Sequence, residues 1–255
     1  MTLALVTNDD GIDAPGLAVL ATAAVKAGLD VVVAAPAEQS SGASAAITAV
    51  RREGRTAVHR HQLASLPDVS AWAVEAQPAY IVVAALNGWF DPVPDLVLSG
   101  VNHGANVGRA ILHSGTVGAA LAAGLNGVSG LAVSLGVPLH PTGERHWEGV
   151  HEVLPGVLDL VVGAPAGTVL SLNVPDLPLE EHRELREARL ATKGAVQARV
   201  DDVQDGTLRL GEIEVGDEPE EGTDGALLAA GHPTLTALAS VTHHPGSLVR
   251  DWLDA

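Results

Sequence analysis

LALVTNDDGIDAPG (residues 3–16) begins as an unbroken apolar run and stops at two adjacent aspartates followed by glycine. A short apolar run without polar alternation, closed by a turn signal, predicts a strand covered on both faces. The next segment, APGLAVLATAAVKAG (14–28), sets Pro15 near a helix start and Gly28 near its end. DVVVAAP (30–36) reads as a second buried strand, ended by Pro36. Strand, helix and strand within about forty residues is the signal of a parallel βαβ unit.

The alternation continues. PAYIVVAALNG (78–88) predicts a helix and PDLVLSG (94–100) a strand that opens into glycine. SGTVGAALAAGLNG (114–127) predicts a glycine-led helix entry, followed by strands at SGLAVSLG (129–136) and TVLSLNVP (168–175). To about residue 178 the pattern is a doubly wound α/β sheet. Beyond it the composition changes. LEEHRELREARLATKG (179–194) is charged and reads either as a helix or as an extended connector. RVDDVQDGTLRLGEIEV (199–215) predicts a β-hairpin around Asp205-Gly206. An acidic loop (216–225), a late strand within 232–244 and a closing helix at 247–255 complete the reading.

Hydrophobic residues make up 47% of the 255 residues, but Phe, Trp and Tyr only 2%, so the core must be built from Ala, Val, Leu and Ile. With so few rings, a surface that stacks several bases or sugars is not expected. The formal net charge of −17 repels a nucleic-acid backbone, so duplex binding is not expected either. An anionic substrate has to be drawn in locally, by a cation or by backbone N–H groups. The chain has no cysteine, which excludes disulfides, thiolate ligands and Cys nucleophiles. No stretch has the length of a membrane span, and the start carries no basic segment or cleavage site, so a cytoplasmic location is expected.

In open α/β sheets, ligands gather beyond the carboxyl ends of the strands. Four polar, glycine-bearing loops fall there: Asn8-Asp9-Asp10-Gly11, the segment 37–44, the segment 101–108, and His113-Ser114-Gly115-Thr116. Asp9 and Asp10 offer hard anionic oxygens whose mutual repulsion a divalent cation would relieve. Ser41 and Asn102 can add neutral oxygens, and such an all-oxygen set suits Mg²⁺ or Mn²⁺ rather than zinc. Small residues in SSGAS, NHGAN and SGT let backbone N–H groups approach an oxyanion, and a helix start favours phosphate. Arg109 reads as a phosphate clamp or as a surface charge. His103 and His113 lie in the same region without metal-ligand spacing, and His243-His244 reads as a surface or interface feature. The acids from Asp217 to Asp224 lack the spacing of a calcium loop.

NDDGIDAPG (8–16), SSGAS (40–44), SGVNHGANVG (99–108), SGTVGAA (114–120), GLAVSL (130–135) and LNVPDLP (172–178) together resemble the SurE survival-protein family. The resemblance implies a Rossmann-like catalytic domain over 1–178. It also implies a C-terminal β-hairpin and helix extension over 179–255 that serves to form a homodimer or homotetramer. It implies a divalent-metal-dependent 5′/3′-nucleotidase, also described as an acid phosphatase, that cleaves nucleoside monophosphates. Its metal ligands correspond to Asp9, Asp10, Ser41 and Asn102, with Ser40 an adjacent rival for the serine. Asn106, Ser114, Gly115 and Thr116 correspond to the phosphate pocket, with Asp9, Asp10 and Asn106 as the catalytic set. AQPAYIV (76–82) departs from the family's GTPxDCV-like segment, and GHPTLTALAS replaces its late aromatic strand. The competing phosphotransfer classes lack their parts: there is no DxD nucleophile in NDDGID, and Lys26 and Lys193 are the only lysines. A nucleotide- or metal-binding regulatory module without turnover is the reading from a different class.

Overall fold

The structure, a computed structural model, describes residues 1–138, 143–192, 196–204, 207–214, 220–239 and 241; for 196–204 and 207–214 only the backbone is considered. The proposed turn at Asp205-Gly206, residues 216–219 of the acidic loop, His243-His244 and the 247–255 helix lie outside these residues.

The elements follow in the order β1 (Leu3–Thr7), α1 (Pro15–Lys26), β2 (Asp30–Pro36), β3 (Arg51–Arg52), β4 (Arg55–Thr56), β5 (Val58–His61) and β6 (Ser70–Val74). Next come α2 (Pro78–Ala84), β7 (Leu96–His103), α3 (Gly115–Leu125), β8 (Ser129–Gly136), α4 (Glu148–Gly163) and β9 (Val169–Pro175). The chain ends its described course with β10 (Arg186–Glu187), β11 (Val196–Gln204), β12 (Thr207–Glu214), α5 (Asp224–Ala229) and β13 (Thr234–Leu238).

The main sheet runs β10, β13, β9, β8, β7, β1, β2, β6, β5. Its six central strands are mutually parallel, while β13 joins β9 and β5 joins β6 antiparallel. The strands double back on either side of β1: β2 and β6 extend one way, β7, β8 and β9 the other. That makes the gap between the ends of β1 and β7 the topological switch point, where such sheets bind ligands.

Alternation in β1 shows how both faces are filled. Ala4 and Val6 pack in one cluster with Leu17 and Leu20 of α1 and Leu154 and Leu158 of α4. Leu5 faces the other way, among Ile81 and Val82 of α2 and Ala119 and Ala123 of α3. The expected two-sided burial of this strand is therefore met by a helix pair on each face. The structure is a mostly parallel α/β sandwich of the Rossmann-like kind.

Several elements escaped the periodicity reading. Pro155 and two glycines interrupt α4, yet Val150, Leu154, Val157, Leu158 and Val161 recur at helical spacing and are buried. The predicted 78–88 helix is α-helical only to Ala84; a wider turn follows, and Gly88 at φ +97° ends it. Of the 179–194 segment, residues 179–192 prove to be a connector, with one helical turn at Leu179–Glu181 and the short strand β10. β11 and β12 pair antiparallel, and β13 supplies the late strand.

α1 crosses β7 at Gly16, where a Cβ would stand 2.0 Å from the Val101 carbonyl oxygen. No rotamer relieves a contact between two backbones. Gly16→Ala is expected to cost about 1–3 kcal/mol, the usual range for overpacking, read as a lower denaturation midpoint at unchanged slope. An unchanged midpoint would show that α1 can move off β7 freely.

Candidate metal and phosphate site

β1 ends at Thr7 and the chain turns at once. The buried Asn8 closes this turn with both ends of its amide: Oδ1 accepts from Gly11 N–H at 3.2 Å, and Nδ2 donates to the Gly11 carbonyl at 2.9 Å. Gly11 sits at φ +100°, a conformation that L side chains rarely adopt. The turn presents Asp9 and Asp10 in succession, Asp9 with only 4% of its surface exposed.

β7 delivers Asn102 and His103 to the same place, and the His103 N–H donates to Asp10 Oδ2 at 3.0 Å. α3 then enters from above. Ser114 caps it, its hydroxyl accepting from Val117 N–H at 3.0 Å. This capping fixes Thr116, fully buried, whose hydroxyl donates to Asp9 Oδ1 and lies 3.3 Å from Asn102 Oδ1. A Cβ on Gly115 would stand 2.7 Å from Asp9 Oδ2, so glycine is what leaves that oxygen open.

Burial pushes the Asp9 carboxyl above the ordinary carboxylate range; the Thr116 hydrogen bond pulls it back, and the Asp10 charge adds to the rise. Among the described residues, no Lys, Arg or His forms an ion pair with Asp9 or Asp10. Nor do three or more acidic or histidine side chains gather into a metal cluster there. Two carboxylates short of a counter-charge, beside an amide oxygen and with one carboxylate oxygen kept clear, suit a hard divalent cation held partly by neutral oxygens and water.

Asp9, Asp10, Asn102 and Thr116 thus come together, while the second loop is less direct. Ser41 is exposed and its hydroxyl accepts from Gln39 Nε2 at 2.9 Å. The neighbouring Ser40 is the serine tied to β1, its N–H donating to the Asp9 carbonyl at 2.7 Å. Asn106 is held three ways. Its N–H donates to Asn173 Oδ1 at 2.8 Å, its carbonyl accepts from Asn173 Nδ2 at 2.9 Å, and its own Nδ2 donates to Ser134 Oγ at 2.9 Å. His103, Arg109 and His113 have exposed side chains.

Asn8, Ser134 and Asn173 are supporting residues that the motif reading passed over. The available signal was a polar residue within an otherwise apolar run: Ser134 in SGLAVSLG and Asn173 in TVLSLNVP. A polar group buried in a sheet needs a partner, and here the partner is a site residue.

Fold and site define a doubly wound α/β protein whose ligand site opens at the switch point behind an acidic first loop. The family model described as survival protein SurE matches residues 4–197. The 5′/3′-nucleotidase SurE of Photorhabdus laumondii is 34% identical over 257 aligned residues, covering 98% of this chain and 95% of that protein. The 5′-nucleotidase SurE of Aeromonas hydrophila is 33% identical, over 92% of this chain and 90% of its own. The crystal structure of the SurE protein from Aquifex aeolicus matches with a TM-score of 0.80 and 28% identity, covering 99% of this chain and all of that one. The chain belongs to the SurE survival-protein family.

The raised Asp9 pKa has a stability consequence. The fold penalises the ionised form, so stability is greatest below the unfolded-state pKa and is lost as pH rises through the higher folded value. Asp9→Asn removes that loss. In metal-free buffer the variant is expected to melt above the wild type at neutral pH, with the gap closing toward acid. Manganese should raise the wild-type melting temperature and leave the variant's unchanged. An equal manganese-induced rise in both proteins would argue against Asp9 as a ligand.

Proposed function

We propose that this chain is a hydrolase, a nucleotidase that cleaves nucleoside monophosphates to nucleoside and inorganic phosphate with the help of one divalent cation, Mg²⁺ or Mn²⁺. The observation that carries the reading is the pair Asp9 and Asp10, buried or half-buried, without a cationic partner among the described residues and bonded instead by neutral hydroxyl and N–H groups. Relatives that align over nine-tenths or more of both chains carry nucleotidase names, which supports the reaction class.

Asp9, Asp10 and Asn102 would hold the cation, with the Ser41 hydroxyl from the second loop. When bound, the cation supplies charge neutralisation at the phosphoryl group and a more acidic water. The protein's own part is positioning. Thr116 occupies Asp9 Oδ1, so Oδ2 is the oxygen left to accept a hydrogen bond from the attacking water. Asn106 uses one amide hydrogen on Ser134 and keeps a second to donate to a phosphoryl oxygen. Gly115, at the first turn of the eleven-residue α3, adds backbone N–H and the positive end of the helix dipole beside the same place. Since phosphoryl transfer is mostly positioning and electrostatic stabilisation, these groups suffice without a protein nucleophile.

On this reading residues 1–178 carry the catalysis, 179–255 serve assembly into a homodimer or homotetramer, and the protein works in the cytoplasm on free nucleotides.

Phosphate release from AMP or GMP in the presence of manganese or magnesium, with an EDTA control, tests the activity. Turnover is expected with metal and none after chelation. Asp9→Asn and Asp10→Asn should each lower kcat by about 10²–10³-fold or more, the scale for losing a main electrostatic stabiliser. A folded wild-type protein that binds the nucleotide and releases no phosphate would instead favour a binding module.

A further inference from the structure

Asp224 is a buried carboxylate that the mechanism above does not use; it has 1% of its surface exposed. It belongs to the Gly222-Thr223-Asp224 segment at the start of α5, far in sequence from the site. Its two oxygens reach in different directions. Oδ2 accepts from the Gly108 N–H at 2.8 Å, and Oδ1 accepts from the Ala191 N–H at 2.9 Å and from its own neighbour Gly225 at 2.8 Å. A further bond closes a ring: the Arg109 N–H donates to the Ala191 carbonyl at 3.1 Å. Arg189 adds a second layer, its carbonyl accepting from Asp224 N–H at 2.9 Å and its own N–H donating to the Gly222 carbonyl at 3.2 Å.

Two things meet here. Gly108 ends the loop that begins at Asn102 and carries Asn106. Ala191 and Asp224 are the two roots of the C-terminal hairpin, since β11 and β12 lie between them in the chain. The loop is pinned at four points: His103 to Asp10, Gly104 to the Leu135 carbonyl, Asn106 to Asn173, and Gly108 to Asp224. The first three anchors belong to the catalytic sheet. Among the described residues, the fourth is the hydrogen bond that joins the loop to the hairpin's roots.

We infer that Asp224 is a positioning residue for phosphoryl transfer, a buried clamp that ties both roots of the C-terminal hairpin to the end of the Asn102–Gly108 loop. This rests on the nucleotidase reading. Because the clamp holds the Gly108 end, its loss displaces Asn106 more than Asn102, which is paired with Ser134 within the sheet. The effect therefore falls on the phosphoryl contact and spares the cation.

Asp224→Asn keeps the shape but turns one acceptor into a donor facing an N–H. Its kcat for AMP should fall by about 10²-fold, the cost of a small misplacement of a reacting group. KM should rise less, and the manganese concentration for half-maximal rate should stay near the wild-type value. Amide exchange should quicken at 106–109 and 189–192 and stay unchanged in β1 and α1. Thr223→Ala is the control: it removes the α5 cap, in which the Thr223 hydroxyl accepts from Ala226 N–H, and touches no loop residue. It should lower the melting temperature with kcat preserved. If Asp224→Asn does not fold, exchange in the wild type decides: adding manganese and inorganic phosphate should slow exchange at 189–192 together with 106–109. The inference fails if Asp224→Asn turns over like an active wild type, or if 189–192 are indifferent to ligand. An inactive wild type would sink the nucleotidase reading instead.

Discussion

Asp9 and Asp10 sit next to each other where a fully buried strand reaches the edge of the sheet, and most of the surrounding architecture answers to that juxtaposition. Removing a carboxylate from water is costly unless it is paired or hydrogen-bonded, and a second one beside it raises the cost. Among the described residues, no lysine or arginine pairs with Asp9 or Asp10. The protein answers with neutral donors: the Thr116 hydroxyl for Asp9 and the His103 N–H for Asp10. Neutral donors stabilise the anions only partly, and the remaining negative potential is what a cation would neutralise. A guanidinium in the same place would have filled the site with the protein's own charge. In a chain of net charge −17, this local arrangement also answers how a phosphate could approach at all.

Backbone proximity makes such an arrangement possible. α3 comes close enough to Asp9 at Gly115 for a hydroxyl on its first turn to reach the carboxylate, and at Gly118 it packs as closely against the second loop. A Cβ at Gly118 would stand 2.3 Å from the Ser44 carbonyl. The alanines of α3 that face the sheet, Ala119, Ala122 and Ala123, extend the close packing along the helix. The low aromatic content thus has a structural use: a core of small side chains lets helices lie near the strands, and the loops above them converge. Packing, which fixes these distances, and the site's chemistry are in this sense one constraint.

The C-terminal part enters the site indirectly. Asn173 on β9 clamps Asn106, and β13 then covers β9 on its far side. Asp224 adds the bond to Gly108. The loop between Asn102 and Gly108 is accordingly shaped by anchors from four separate parts of the chain, at Asp10, Leu135, Asn173 and Asp224. A glycine-bearing loop held at both ends and in the middle can present Asn106 in one orientation, which catalysis by positioning requires.

The sequence by itself determined the parallel α/β architecture, because two-sided burial leaves continuous apolar runs and βαβ units leave a regular alternation. It also determined the acidic pair and the loops that face it, because residue type and position after a strand follow from the chain alone. It did not reveal α4, where Pro155 and glycine mask a helical apolar stripe, or β6 and the edge strand β5, whose short and largely half-exposed runs carry little pattern. Only the tertiary structure decided that the Thr116 hydroxyl donates to Asp9, that Ser40 rather than Ser41 bonds to the Asp9 backbone, and that Asn173 and Asp224 hold the Asn106 loop. The reason is physical. A hydrogen bond between residues about a hundred apart in the chain leaves no periodic trace in either segment, and it exists only once the sheet has brought them within 3 Å.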